Sequence, residues 1–265
     1  MAEVSILVDV TKCIGCKSCE VACKQWWQLP AEIGSWTGSY QSHDDLSYHR
    51  WTMVLFREKE TASGGVEWLF RKEQCMHCEN PACVAVCPTQ ALTRRPDGIV
   101  DLDPSRCTGC QYCVEFCPFG IPRYDPAANK VAKCNMCADR VDAGMEPACV
   151  QACPTDALTF GPRPSLLAAA EARVAELGQA GVAAQVYNPQ EVGGTHYVYV
   201  LPQGEPADLG FPARLRYPAT VGLWKSTLQP VGEGVAALSL AVTLAAAATA
   251  NLLHRNRGEG GDHHE

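Results

Sequence analysis

Cys107-Thr-Gly-Cys110-Gln-Tyr-Cys113-Val-Glu-Phe-Cys117-Pro118 spaces four cysteines by two, two and three residues and closes them with a proline. This is the pattern of thiolate loops that hold cubane iron–sulfur clusters. Three thiolates in a tight loop can grip three corners of one cube, and Gly109 lets the backbone approach the inorganic sulfurs. The chain then begins to turn helically. The fourth thiolate is carried away from the loop and is expected to ligate a different cluster. One such loop therefore predicts a partner loop elsewhere in the chain.

Three further quartets are present. The first is Cys13, Cys16, Cys19 and Cys23, with the same gaps but Lys24 in place of the proline. The second is Cys75, Cys78, Cys83 and Cys87, and the fourth is Cys134, Cys137, Cys149 and Cys153; each is followed by a proline. The lead-ins Val8-Asp-Val-Thr-Lys-Cys13 and Val100-Asp-Leu-Asp-Pro-Ser-Arg-Cys107 match, and Gly15 stands where Gly109 does. The second and fourth quartets share Pro-Ala-Cys-Val and Cys-Pro-Thr, with Ala-Leu-Thr a residue further on that reads as a short strand leaving each cluster. Internal repetition of this kind points to paired units.

Sixteen cysteines in 265 residues fall into four groups of four with none left over. A disulfide scaffold has no reason to group that way. Structural zinc favours two separated Cys-x-x-Cys pairs, which only the fourth quartet resembles. A formal net charge of −7 and the lack of a basic stripe exclude nucleic acid as the main partner. The seven histidines are scattered, and no nucleophile–base pair or phosphate loop stands out. The start of the chain shows no basic segment followed by an apolar one and no twin arginine, so either a cytoplasmic location or export beside a signal-bearing partner is expected.

Spacing does not fix which quartets pair; the second and third are close in sequence and are expected to form one unit, leaving the first and fourth to form the other in a nested arrangement. Four [4Fe-4S] clusters follow. Site a takes Cys13, Cys16, Cys19 and Cys153; site b takes Cys75, Cys78, Cys83 and Cys117; site c takes Cys107, Cys110, Cys113 and Cys87; site d takes Cys134, Cys137, Cys149 and Cys23. Ile14, Val21, Val84, Val114, Phe116 and Phe119 are expected to keep water from the sites. With four thiolates each, the clusters offer no open position for a substrate, so the chain is expected to carry electrons without catalysing a reaction.

The fold class expected is α+β, with two bacterial-ferredoxin-like modules. Residues 1–24 with 125–162 form the outer module and 75–124 the inner one. Residues 25–74 form an insertion holding Trp26, Trp27, Trp36, Trp51 and Trp68, read as a packed cover over the clusters and as a partner interface. Within it, Trp51 to Glu58 and Val66 to Arg71 read as a hairpin around Thr-Ala-Ser-Gly-Gly. Further strands are expected at Ile6 to Val10 and Tyr197 to Leu201. An extension and arm occupy 163–230, with a helix capped by Ser165 and Gly178. Val235 to Leu253 is almost unbroken apolar sequence, and 231–254 is expected to cross a bilayer and pack through small residues. Arg214, Arg216 and Lys225 precede it while Arg255 and Arg257 follow, so charge does not fix its orientation. The tail 255–265, with His263 and His264, reads as polar and solvated.

Cys75-Met-His-Cys78-Glu-Asn-Pro-Ala-Cys83 and Lys133-Cys-Asn-Met-Cys137-Ala-Asp-Arg resemble the four-cluster subunits of molybdenum and tungsten oxidoreductases. Trp68-Leu-Phe-Arg-Lys, Val192-Gly-Gly-Thr-His-Tyr-Val-Tyr-Val-Leu201 and the apolar C-terminal segment narrow the resemblance to the beta (iron–sulfur) subunits of membrane-bound respiratory formate dehydrogenases. The resemblance implies the same nested ligand pairing. It also implies a molybdopterin catalytic alpha subunit as donor and a cytochrome b gamma subunit that reduces quinone as acceptor. The chain would sit in the cytoplasmic membrane by a single pass, with its head on the extracytoplasmic side. The corresponding subunits of dimethyl sulfoxide, polysulfide or thiosulfate reductases are the alternative.

Overall fold

A computed structural model of the chain describes residues 2–35, 38–41, 43–60, 64–223 and 227–258. Trp36, Lys225, part of the hairpin turn and the end of the tail with His263 and His264 lie outside the described residues. The chain forms two units, one through Tyr217 and one from Pro218 onward.

The first unit contains ten strands: β1 (Val4–Asp9), β2 (Thr52–Glu60), β3 (Val66–Gln74), β4 (Leu92–Arg94), β5 (Val100–Leu102), β6 (Arg123–Asp125), β7 (Lys130–Ala132), β8 (Leu158–Pro162), β9 (Ala184–Tyr187) and β10 (Tyr197–Pro202). Its helices are α1 (Ser18–Trp26), α2 (Ala82–Ala85), α3 (Tyr112–Glu115), α4 (Ala138–Asp142), α5 (Ala148–Gln151) and α6 (Arg163–Gln179). A four-stranded sheet in the order β8-β1-β10-β9 organises the unit. β1 and β10 pair in parallel with Ile6 opposite Tyr197, and β8 and β9 run antiparallel on the outside. The extension after the last cysteine thus supplies two strands to the sheet that begins at the N-terminus.

Alternation along these strands sends side chains to two cores. Ile6, Val8, Tyr197, Tyr199 and Leu201 face the cysteine-bearing loops, where Cys19, Met136 and Cys149 pack against them. Leu7, Val198 and Val200 face the other way, onto Leu166, Ala170 and Leu177 of α6. That helix starts two residues before Ser165, with Pro162 at its N-cap and no side-chain cap, and continues past Gly178 to Gln179. Pro164 explains the early start, since a first-turn residue needs no N–H donor.

The hairpin of β2 and β3 is longer than the sequence suggests, with nine residues in each strand and Phe56 opposite Phe70. Its inner end packs with Leu46, Ile121, Cys75 and Cys134. The tryptophans divide by role. Trp27 and Trp51 meet at 5.3 Å as part of the cover, whereas Trp26 and Trp68 remain exposed. The short ladders β4–β5 and β6–β7 follow the second and third quartets.

The second unit holds α7 (Ala219–Leu223) and α8 (Gln229–Gly258). Within α8, the 22 residues Gln229–Ala250 have a mean hydropathy of 1.7 and none is buried in the protein. At 1.5 Å per residue this segment is about 33 Å long, enough to cross a bilayer core. Ser239 and Thr249 return their hydroxyl protons to the carbonyls of Val235 and Ala245 at 2.8 and 3.0 Å. Thr243 does the same to Ser239, so these polar side chains need no water.

Candidate iron–sulfur sites

Each quartet ends in Cys-x-x-x-Cys, at positions 19 and 23, 83 and 87, 113 and 117, and 149 and 153. Each of these pairs starts within a helix, so residues four apart share a face one turn from each other. α1 packs against α5 and α2 against α3, and the second cysteine of each pair (Cys23 within α1, and Cys87, Cys117 and Cys153 two residues past α2, α3 and α5) is offered to the facing helix's site.

A left-handed backbone bend aims each Cys-x-x-Cys loop. Gly15 and Lys17 have φ of +67° and +61° in the first quartet, and Gly109 and Gln111 have +71° and +62° in the third. His77 plays this part in the second quartet and Met136 with Cys137 in the fourth. Gly109 answers to a further demand, because a Cβ there would strike the side chain and carbonyl of Asn129. A Cβ at Gly15 would press on Phe70 and Phe56 of the hairpin.

Cys13, Cys16, Cys19 and Cys153 line one cavity, with an empty space of about 400 Å³ that includes open solvent. Cys87, Cys107, Cys110 and Cys113 line another. Cys78 lies in the electrostatic reach of Cys75, Cys83 and Cys117, and Cys23 in that of Cys134, Cys149 and Cys137. In each of the four gatherings a thiol from one quartet joins three from another. Cys16 and Cys110 are exposed, whereas Cys75, Cys83, Cys134, Cys137 and Cys149 are buried.

Burial, followed by the neighbouring Cys110, Cys107 and Cys87, pushes the Cys113 thiol up to about 12. Burial and then Cys75, Cys83 and Cys117 likewise raise Cys78. Thiolates crowded in this way need a cationic metal to hold them together. Some thiols already have donors turned toward them. Burial raises Cys87, yet N–H groups of Leu92, Ala91 and Thr89 and the Thr89 hydroxyl outweigh it and hold the thiol below its ordinary range. Ile121 N–H reaches Cys117 Sγ at 3.5 Å and Met136 N–H reaches Cys134 Sγ at 3.4 Å. Four soft thiolates per site, met by backbone donors, fit iron–sulfur clusters and suit hard cations poorly.

The water-excluding shell is only partly as expected. Phe119, Val84 and Val114 pack against the buried clusters of side chains, but Ile14 and Val21 are 60% and 63% exposed. Ile14 sits in the first loop and Val21 on α1, both within the first quartet and on the surface of this chain.

Several site neighbours were not read from the sequence. Trp27 stands near enough to Cys137 to favour its thiolate, and the Tyr197 hydroxyl lies 3.9 Å from Cys134 Sγ. Lys72 lines the site-a cavity, and Lys133 is buried beside Cys134. Strand alternation could have placed Tyr197 and Lys72 on one face, but not which face meets the clusters.

Two protein families described as "4Fe-4S dicluster domain" match the chain, at residues 66–163 and 12–91. The chain is 47% identical over 234 residues to the iron–sulfur subunit of the nitrate-inducible formate dehydrogenase of Escherichia coli, covering 87% of this chain and 79% of the relative. It is 44% identical to the formate dehydrogenase-O iron–sulfur subunit of the same organism, over 92% of this chain and 81% of the relative. A formate dehydrogenase iron–sulfur subunit of Haemophilus influenzae is 43% identical, over 86% and 75%.

Proposed function

Because this chain belongs to the iron–sulfur subunits of formate dehydrogenase, we propose that its sixteen cysteines hold four [4Fe-4S] clusters at sites a, d, b and c, arranged in that order as a one-electron wire. When bound, each cluster supplies a carrier that changes charge by one electron.

Contacts between sites support the order. Cys19 of site a lies within the electrostatic reach of Cys149 of site d. Cys75 of site b feels Cys134 of site d, and Cys83 of site b feels Cys113 of site c. The observation that carries the reading is the exposure of one cysteine at each end, Cys16 of site a and Cys110 of site c, with the two middle sites built mainly from buried thiols. A wire needs open ends and a dry middle. Four thiolates per site leave no coordination position for formate, which favours a relay without catalysis in this chain.

The donor in this reading is a molybdopterin catalytic subunit that oxidises formate, and the acceptor is a cytochrome b membrane subunit. Exposed Ile14 and Val21 beside site a give the catalytic subunit an apolar seat. With the open end at site a given to the catalytic subunit, the other open end, at Cys110 of site c, is assigned to the membrane partner. α8 anchors the chain in the cytoplasmic membrane in a single pass, with the head on the extracytoplasmic side.

The test is anaerobic purification from detergent-extracted membranes. Four clusters' worth of iron and sulfide should accompany this chain, with a molybdopterin subunit and a cytochrome b subunit co-purifying. Formate should bleach the cluster absorbance in that complex. Zinc in place of iron, or clusters that formate leaves oxidised in the intact complex, would overturn the reading.

A further inference from the structure

Lys72 and Lys133 are only 2% and 3% exposed, and none of the ion pairs among the described residues includes either. The Lys72 ammonium donates to Gln74 Oε1 at 3.0 Å and stands 5.2 Å from the centre of the Tyr197 ring. Lys133 donates to the carbonyls of Val100 and Cys134 at 2.5 and 3.0 Å. Dipoles and a ring are therefore their protein partners. A buried cation is costly to keep unless an opposite charge compensates it. In this fold the candidates for that charge are the thiolate-ligated sites.

Lys72 faces two of them. It lines the same cavity as Cys13, Cys16, Cys19 and Cys153. Across Tyr197, whose hydroxyl approaches Cys134 Sγ at 3.9 Å, it also faces site d. Burial alone would lower the Lys72 pKa, but Cys149, Cys19 and Cys134 raise it overall, so the ammonium keeps its proton. Lys133 is held against the carbonyl of Cys134, a ligand of site d. Site c differs: its nearby lysine, Lys130, is half-buried, binds the Cys107 carbonyl and is screened by water.

We propose that Lys72 is the fixed counter-charge shared by sites a and d, and that its ammonium group raises the reduction potentials of those sites. The inference rests on the four-cluster reading above. Reduction adds a negative charge to a site, and a cation in a low-dielectric interior favours the more negative state. Lys72 acts through the clusters' surroundings and ligates nothing. It is a tuning residue.

Lys72→Met keeps the length and apolar stem while removing the charge. In an EPR-monitored redox titration of the intact membrane complex, two of the four couples should become at least tenfold harder to reduce, about 59 mV for one electron. The other two should move less than threefold. Should Lys72→Met instead lose two clusters, recovery of both by Lys72→Arg would support the charge role, and failure to recover them would overturn it. All four couples of a fully loaded Lys72→Met complex staying within threefold of the unaltered complex, or all four shifting together, would also overturn it. Iron below four clusters' worth in the unaltered complex would instead refute the four-cluster reading.

Discussion

Gly109 shows how narrowly a single residue is constrained here. Its φ of +71° is strained for any L side chain, and Asn129 occupies the space a Cβ would need. Gly144 has a similar φ of +73° but nothing within 4 Å of a built Cβ. Gly144→Ala should therefore cost only the backbone term, about 1 kcal/mol. Gly109→Ala adds a collision in the loop of site c, so its cost should be about 2–3 kcal/mol. Paired thermal melts of the two variants, with iron content measured alongside, check the difference. The cysteines make a second residue-scale case. Cys117 closes the third quartet in sequence but lies with Cys75, Cys78 and Cys83 in space. Cys117→Ser should perturb the EPR signal of site b and spare site c; loss of the site-c signal alone would reject the crossed assignment.

Among the elements, the helix that ends each quartet does most to arrange the sites. Each helix starts with one thiol turned to the loop before it and carries the next, four residues on, away from that loop, so facing helices exchange their second thiol. The hairpin contributes differently, by fastening later chain segments. Arg71 on β3 is buried, donates through Nε to Leu209 O at 2.5 Å and stacks over Phe211 at 4.1 Å. Its Nη2 reaches Glu73 at 2.7 Å and Gly210 O at 3.2 Å. Arg71→Met leaves two carbonyls and a carboxylate without this donor, at a cost of about 1–3 kcal/mol. The segment around residues 203–211 should loosen first. Limited proteolysis should cut there sooner in the variant than in the parent, with the β2–β3 hairpin still protected.

Across the whole molecule, exposure grades the sites. Sites a and c each present a surface cysteine, Cys16 or Cys110, while b and d lie in the core with Cys75, Cys83, Cys134 and Cys149 buried. A chelator with mild oxidant should consequently strip iron in two phases. The fast phase should remove the signals of a and c, and the slow phase those of b and d, together with unfolding of the first unit. Release in a single phase with all four signals fading together would contradict this grading. The slow phase should coincide with unfolding because buried thiols and the two buried lysines then lose the charges that balance them.

Much was legible before any coordinates. Cysteine spacing is local chemistry, and a loop that must fit a cube leaves a short, regular signature. The repeat, the hairpin and the apolar segment of α8 were legible for the same reason, since each follows from a local period or turn. The edges were less so: proline chemistry at Pro164 moved the start of α6, and β2 and β3 ran on because pairing continued beyond the apolar residues. Other features belong to the tertiary structure. That β10 would pair in parallel with β1 and bring Tyr197 beside Cys134 depends on chain segments nearly two hundred residues apart. The burial of Lys72 and Lys133, and the exposure of Ile14 and Val21, run against what their side chains predict by polarity. Local sequence sets the cysteine spacing within each quartet and the membrane-length apolar run of α8, because those depend on neighbours along the chain. Only the fold decided which site is open, which is dry and where a charge stands between them, because burial is a property of distant segments packed together.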